Sequence, residues 1–254
     1  MNIDSNSTYP IHVENLRKKF GEFEALKGIS FDVKQGEIFG FLGPNGAGKT
    51  TAMRIITCFM RAASGKCTIL GMDADKNPSE IKARLGVAAQ ENNLDPDITV
   101  FDNLIVYAGY FGIPKRIAME KARDILSSVE LYEKLHSPIQ ALSGGMLRRL
   151  MIARALINTP DILIMDEPTT GLDPRSRRLL WDTLAQLKAK TGFTMLLSTH
   201  YMEEAAALCS RTAIMNRGEI VTLDAPQNLM NMHGGTLEDV YLKLTGLSLA
   251  EDEL

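Results

Sequence analysis

Residues 43–50 read Gly43-Pro44-Asn45-Gly46-Ala47-Gly48-Lys49-Thr50, the spacing GxxxxGK[ST]. A run of strand formers, Glu37-Ile38-Phe39-Gly40-Phe41-Leu42, comes directly before, and an amphipathic helical stretch (Thr51, Met53, Ile55, Ile56) directly after. A buried strand, a glycine-rich turn and a helix in immediate succession restrict the chain to an α/β architecture built around that unit. The turn has a chemistry of its own. Glycines let backbone N–H groups point inward, where a Cβ would block a ligand, and the helix N-terminus adds partial positive charge. Lys49 then supplies a full charge for the β- and γ-phosphates of a nucleotide, and the Thr50 hydroxyl can ligate Mg²⁺. A plain glycine-rich connection is the alternative, to be weighed against the rest of the chain.

Apolar runs alternate with amphipathic stretches throughout. Strands are predicted at 11–16, 29–33, 37–42, 66–69, 85–89, 162–165, 194–198, 212–216 and 219–223. Helices are predicted at 49–57, 78–83, 100–111, 116–129, 145–158, 174–191, 201–209 and 236–244. The stretch 91–156 holds no obvious strand and reads as a helical lobe inserted between sheet strands. No internal repeat is present, so each motif occurs once.

Composition narrows the class. The chain has 254 residues, 45% hydrophobic and 23% charged, as in a globular protein. Lys+Arg 28 against Asp+Glu 31 gives a net charge of −3, with no basic excess of the kind that coats nucleic acid. Charge-free stretches such as Leu104–Pro114 are too short for a membrane span, which needs about 20 apolar residues. Met1-Asn2-Ile3-Asp4-Ser5 lacks a positive region followed by an apolar run, so no secretory signal is expected. Cys58, Cys67 and Cys209 are expected as buried thiols of a reducing compartment, and Glu251-Asp252-Glu253-Leu254 as an acidic tail. Met53, Met60 and Met151 read as core filler. His12, His136 and His233 read as surface or structural residues, and Arg148, Arg149 and Arg154 as a solvated helix face with local ion pairs.

A second acidic feature completes a nucleotide chemistry. Asp161-Ile162-Leu163-Ile164-Met165-Asp166-Glu167 is an apolar strand ending in two acids, at the edge where α/β sheets present ligand-binding groups. Asp166 is suited to Mg²⁺, directly or through water. Glu167, on the opposite side by strand alternation, can orient or deprotonate an attacking water.

Between the two motifs lies Leu142-Ser143-Gly144-Gly145-Met146. Here the sequence resembles the ATP-binding cassette (ABC) ATPases, whose signature is LSGGQ, and the resemblance extends over almost the whole chain. Phe20, before Gly21, stands where the family stacks an aromatic on adenine, with Phe23 a competitor for that place. Gln90 follows a strand as the family's Q-loop glutamine does, making it a contact to Mg²⁺ and water and the hinge of the helical lobe. Thr170-Gly171-Leu172-Asp173 is similar to the D-loop, and His200, after Met195–Thr199, to the switch histidine. Ser143 is a good N-cap, so the helix after it presents a positive end, where the family places the γ-phosphate bound by the opposite subunit.

The resemblance implies a P-loop NTPase core with a mixed, mainly parallel sheet, an N-terminal antiparallel β subdomain and an inserted helical subdomain. Residues 1–90 and 157–230 would form the α/β core, 91–156 the helical lobe, and 231–254 a short helix and tail. It implies ATP and Mg²⁺ as ligands, with ATP on Phe20, Gly43–Thr50 and Thr51, and Mg²⁺ on Thr50, Gln90 and Asp166. Glu167, His200 and Gln90 would be the catalytic set. One phosphate loop and one signature cannot serve the same nucleotide, so a second cassette subunit, a homodimer, is expected. A separate transmembrane permease would hold the dimer to the inner face of the cell membrane, with Asn92–Pro96 on the docking surface; no nucleic-acid partner is expected. Met146 departs from the signature's Gln. It is similar, with Met146–Leu150, Pro168–Pro174, Thr199–Ala205 and Thr236–Tyr241, to the branch serving drug, polysaccharide and nodulation-factor-type exporters. An importer ATPase is the alternative, and a soluble ABC-type ATPase acting on DNA or ribosomes a more distant one. The stretch of about 92 residues between Lys49 and Leu142 has no room for the coiled coils of DNA-repair members.

Overall fold

The computed structural model describes residues 9–246; Met1–Ser5 and the acidic tail considered above lie outside them. In chain order the strands and helices are β1 (Ile11–Phe20), β2 (Phe23–Val33), β3 (Ile38–Leu42), α1 (Lys49–Ile56), β4 (Ser64–Ile69), β5 (Met72–Asp73), α2 (Pro78–Ala83), β6 (Leu85–Ala88), α3 (Val100–Tyr110), α4 (Lys115–Ser128), α5 (Gly144–Leu156), β7 (Ile162–Asp166), α6 (Pro174–Thr191), β8 (Thr194–Thr199), α7 (Met202–Leu208), β9 (Arg211–Asn216), β10 (Glu219–Asp224), α8 (Pro226–His233) and α9 (Leu237–Thr245). The chain divides into two compact units. One takes the residues up to Lys82 and those from Thr194 onward, the other Ala83–Phe193.

The first unit carries an antiparallel sheet of order β2-β1-β4-β5. Strand β1 runs four residues past the expected Leu16. Asn15 sits in the left-handed region at φ 47° and the register slips between Val13 and Leu16. That slip returns Leu16 to the buried face after Ile11 and Val13. The Arg17–Phe20 end, half-buried and then exposed, is carried by pairing, with Lys19 opposite Glu24 and Phe20 opposite Phe23 across a Gly21–Glu22 turn. Alternation alone hides such a polar extension. In the same unit β3 lies between β8 and β9, parallel to both, and β10 closes on β9 antiparallel. All five residues of β3 and all six of β8 are buried, as strands covered on both faces require. Phe31, Phe39 and Phe41 form the aromatic centre of this core, with ring centroids 5.1–5.6 Å apart.

In the second unit β6 and β7 pair in parallel, and α3, α4 and α5 follow one another with only two short 3₁₀ turns between α4 and α5. Helix α5 packs on β6 at Gly86, where an added Cβ would meet the Ala155 carbonyl oxygen at 2.2 Å. Helix α6 spans the predicted residues. Asp173 caps it by accepting from the Arg175 and Ser176 N–H groups, Pro174 opens it, and Gly192 at φ 70° ends it.

Several expectations change. Helix α8, opened by Pro226 and ended by Gly234, was not predicted, being short and flanked by polar residues. Cys58 and Met60 are only half-buried, because both lie in the turn that leaves α1. Cys67 and Cys209 are buried, and burial pushes both thiols up to about 12. All three cysteines are free. Arg149 and Arg154 are buried at 7% exposure instead of lining a solvated face. Arg149 donates to the Val129 carbonyl (2.9 Å) and Glu130 (3.3 Å). Arg154 donates to the Asn93 carbonyl (2.6 Å) and lies 4.7 Å from the Tyr107 ring centroid. Burial of a guanidinium is tolerable because those carbonyls take its donors.

His12 has partners as well. It is hydrogen-bonded to Asp32 and, at 2.8 Å, to Glu14. The Asp32 bond first, then the Glu14 bond, raises the imidazole above its ordinary 6.5, and His12 in turn lowers Glu14. A raised imidazole contributes stability that is complete below the unfolded value and is lost as pH climbs through the folded one. His12→Gln is therefore expected to lower the Tm by about 1–2 °C near pH 5.5 and to leave it unchanged near pH 9, as a part-exposed ion pair allows. Calorimetric scans at the two pH values check it.

Candidate active site

The first unit presents the phosphate loop. Strand β3 delivers the chain to Gly43, whose N–H donates to the Thr199 carbonyl at 3.3 Å. The loop then turns into α1 through Gly48, at φ 104°, and no side chain caps the helix. An alanine at Gly48 would be strained by that φ and would put its Cβ 2.8 Å from the Ala25 carbonyl oxygen. Lys49 is only 4% exposed. Its Nζ folds back over the loop and donates to the carbonyls of Gly43 (2.6 Å) and Pro44 (2.9 Å). Asn45 and Gly46 are exposed at the crest, Ala47 is buried, and Thr50 and Thr51 sit half-buried in the first turn of α1. A glycine-hinged loop with a cation held inside it and an uncapped helix end behind it fits a polyphosphate.

His200 follows β8 directly and is half-buried, its ring 4.1 Å from that of Tyr201. The Thr199 hydroxyl accepts the Tyr201 N–H at 2.9 Å and so fixes the turn that carries His200. Phe20 and Phe23 face each other across the hairpin turn and both are exposed. The Lys18 amine lies 5.4 Å from the Phe20 centroid. Each ring offers a platform for a planar base, and the register gives them equivalent places.

The second unit gathers the remaining groups. Asp166 ends β7, half-buried. Glu167 does not continue the strand alternation. It sits in the left-handed region at φ 48° and is 5% exposed, so a backbone turn, and not the pleat, sets its direction. Its Oε2 accepts from Gln90 Nε2 at 3.3 Å and from Thr170 Oγ1 at 3.0 Å. The structure thus brings Gln90 and Glu167 together. Strand β6 ends at Ala88, two residues before Gln90.

The signature residues open α5. Ser143 is the N-cap and accepts the Met146 N–H at 3.3 Å, so Met146 preserves the cap that any residue there would make through its backbone. Leu142 is buried, Ser143 and Gly144 are exposed, and Gly145 and Met146 are half-buried. Gly171, Leu172 and Asp173 lead into α6, and Asp173 is occupied as its N-cap. The Ser176 hydroxyl, 2.6 Å away, is the first cause that holds its carboxyl below the usual range.

Thr170, read from the sequence only as the first residue of the D-loop match, is a partner of Glu167. Arg148 carried no signal of a role at the site. Its Nη1 donates to the Ala89 carbonyl at 3.1 Å, and burial depresses its pKa against the opposing pull of Glu167 and then Asp166. No group of three or more His, Cys, Asp or Glu side chains among the described residues could hold a metal. A Mg²⁺ bound with a nucleotide needs few protein donors, since phosphate and water oxygens complete its shell, and the Thr50 hydroxyl, the Gln90 amide and the Asp166 carboxylate are hard oxygen donors suited to it.

The ABC transporter family profile matches residues 26–170. The Nod factor export ATP-binding protein I of Ralstonia nicotianae is 44% identical over 236 residues, covering 92% of this chain and 73% of the relative. The protein of the same name from Burkholderia orbicola is 42% identical over 229 residues, covering 90% and 75%. Among solved structures, cbiO1 from Clostridium perfringens, part of the ABC transporter complex cbiONQ, superimposes with a TM-score of 0.82 at 25% identity, covering 89% of this chain and 92% of that one. The cassette MJ0796, in a dimeric post-hydrolysis state bound to ADP and Pi, gives 0.76 at 27% identity, covering 85% and 98%. The fold is the P-loop NTPase cassette, with its antiparallel N-terminal sheet and mainly parallel second sheet. This chain belongs to the ABC transporter family, as an ATP-binding and ATP-hydrolysing subunit.

Proposed function

We propose that this subunit powers export, working as a homodimer beneath a separate permease on the inner face of the cell membrane. The observation that carries the direction is the set of relatives above 40% identity named for Nod factor export. No helix among the described residues is long and apolar enough to cross a membrane, and a permease on a separate chain belongs to this reading. ATP binds the phosphate loop Gly43–Thr50 and Thr51, with adenine on Phe20; Thr50, Gln90 and Asp166 would hold Mg²⁺, which would supply charge neutralisation at the phosphates. The exposed Ser143–Gly144 turn, at the positive end of α5, meets the γ-phosphate bound by the opposite subunit, with the D-loop residues Gly171–Asp173 beside the same interface. Dimerisation in the MJ0796 cassette supports that arrangement. Glu167 takes the proton of the attacking water as Gln90 and Thr170 hold its carboxylate, and His200 supports the γ-phosphate side. Phosphoryl transfer depends on this positioning and on charge.

A groove of about 290 Å³ in the second unit suits the cytoplasmic loop of the permease. Asn93 and Asp95 line it, from the stretch expected on the docking surface, with Val106, Tyr107 and Tyr110 of α3. Tyr110, 81% exposed, and Val106, 52% exposed, give the groove an apolar and aromatic rim of the composition that protein interfaces favour. Tyr110→Arg is expected to abolish co-purification with the permease from membranes, with the Tm of the isolated cassette kept within about 2 °C. The export reading itself is tested by reconstituting cassette and permease in vesicles: ATP-driven loss of substrate from the cassette side supports it, and accumulation on that side sinks it.

A further inference from the structure

We infer that Arg148 is a positioning residue of the hydrolytic site, tying the signature helix to the segment that carries Gln90. The inference rests on the roles proposed above for Gln90 and Glu167. The stretch from Ala89 to Pro96 has no regular structure of its own, yet two arginines of α5 and Gln140, from the short 3₁₀ turn before the signature, fasten it at three points. Arg148 donates to the Ala89 carbonyl at 3.1 Å, Arg154 to the Asn93 carbonyl at 2.6 Å and Gln140 Nε2 to the Pro96 carbonyl at 2.7 Å. Arg148 is the staple next to the chemistry. It bonds the residue immediately before Gln90, whose amide donates to Glu167 Oε2 at 3.3 Å. On α5 it lies four residues after Gly144 and three after Gly145, on the same helical face as the exposed first turn.

A rigid helix joins the two ends. When the first turn of α5 engages an anion, its displacement reaches the Ala89 carbonyl through one side chain, and with it the backbone of Gln90. The guanidinium suits this task, since it stays charged when half-buried and offers several donors in a fixed plane. Burial lowers its pKa while Glu167 and Asp166 oppose that effect, so its charge lies within the field of both acids. Arg148 touches neither nucleotide nor water in this scheme; it acts through Gln90.

A double-mutant cycle with the full-length protein tests the link. Arg148→Met is expected to lower kcat about tenfold, leave the Kd for a fluorescent ATP analogue within about twofold, and be partly rescued by Arg148→Lys. In an Arg148→Met/Gln90→Ala double variant the loss should equal that of Gln90→Ala alone, because both changes break one chain of contacts. Losses that multiply, or an ATP affinity that falls in parallel with kcat, overturn the inference. Arg148→Gln, which retains a donor, carries the same cycle if the methionine variant is unstable. Glu167→Gln distinguishes the two levels. If that variant remains active, the proposed catalytic assignment fails; if it is dead while the cycle is additive, only the role of Arg148 fails.

Discussion

Glu167→Gln is expected to cut steady-state ATP hydrolysis by about 10³-fold and to leave ATP-dependent dimers intact. The magnitude is that of losing a general base. Confinement of the effect to chemistry follows from the geometry. The carboxylate is 5% exposed and its Oε2 accepts from Gln90 and Thr170. A glutamine oxygen accepts the same two bonds, the side chains have the same volume, and neither Glu nor Gln gains over the other at a φ of 48°. Only the negative charge, and with it the capacity to take a proton, is removed. The phosphate loop lies in other elements and keeps its donors, so ATP still binds and the dimer forms and persists. Phosphate release measured beside gel filtration with and without ATP checks both halves. Turnover near the parental rate, or full activity in a variant that stays monomeric, would end the scheme.

How much of this was legible depended on range. The strand, loop and α1 were readable because their signal is local: five buried residues of β3, glycines at fixed spacing, then Lys49 and Thr50. Ser143 and Asp173 were likewise found as N-caps or motif members because a cap bonds the next turn. Gln90 and Glu167 are 77 residues apart, and no residue type at either place announces the contact; family resemblance put both in one catalytic set without pairing them. Strand alternation gave a wrong reason for the direction of Glu167, since the chain turns left-handed at that residue. The arginines of α5 were misread for a related cause. Their spacing says only that they lie on a helix, whereas their environment is set by carbonyls 59, 20 and 61 residues away. Phe20 and Phe23 stay equivalent candidates in the structure, because a two-residue hairpin turn sets them opposite each other.

Lys49→Ala is expected to remove nucleotide binding, and the structure says why the loss should be nearly complete. The amine is 4% exposed, yet it is held by the carbonyls of Gly43 and Pro44 in the loop itself. Its charge is therefore already desolvated and placed before a phosphate arrives, so little reorganisation opposes binding, and a charge in such surroundings is worth more than one in water. Alanine removes that charge and leaves two loop carbonyls without their donor, which loosens the cradle as well as emptying it of its cation. An ATP affinity lower by at least about 10²-fold follows. Thermal melting offers a direct reading. Ligand at about 100 times its Kd adds about 2.7 kcal/mol, which raises the Tm of a chain this long by about 5–10 °C. The parent protein should show that rise with Mg²⁺ and ATP, and Lys49→Ala should show none at the same concentration, with an apo Tm lowered by no more than a few degrees. An undiminished ATP-dependent rise in the variant would mean that the charge for the phosphates comes from elsewhere, and the phosphate loop would have to be reassigned as a structural turn.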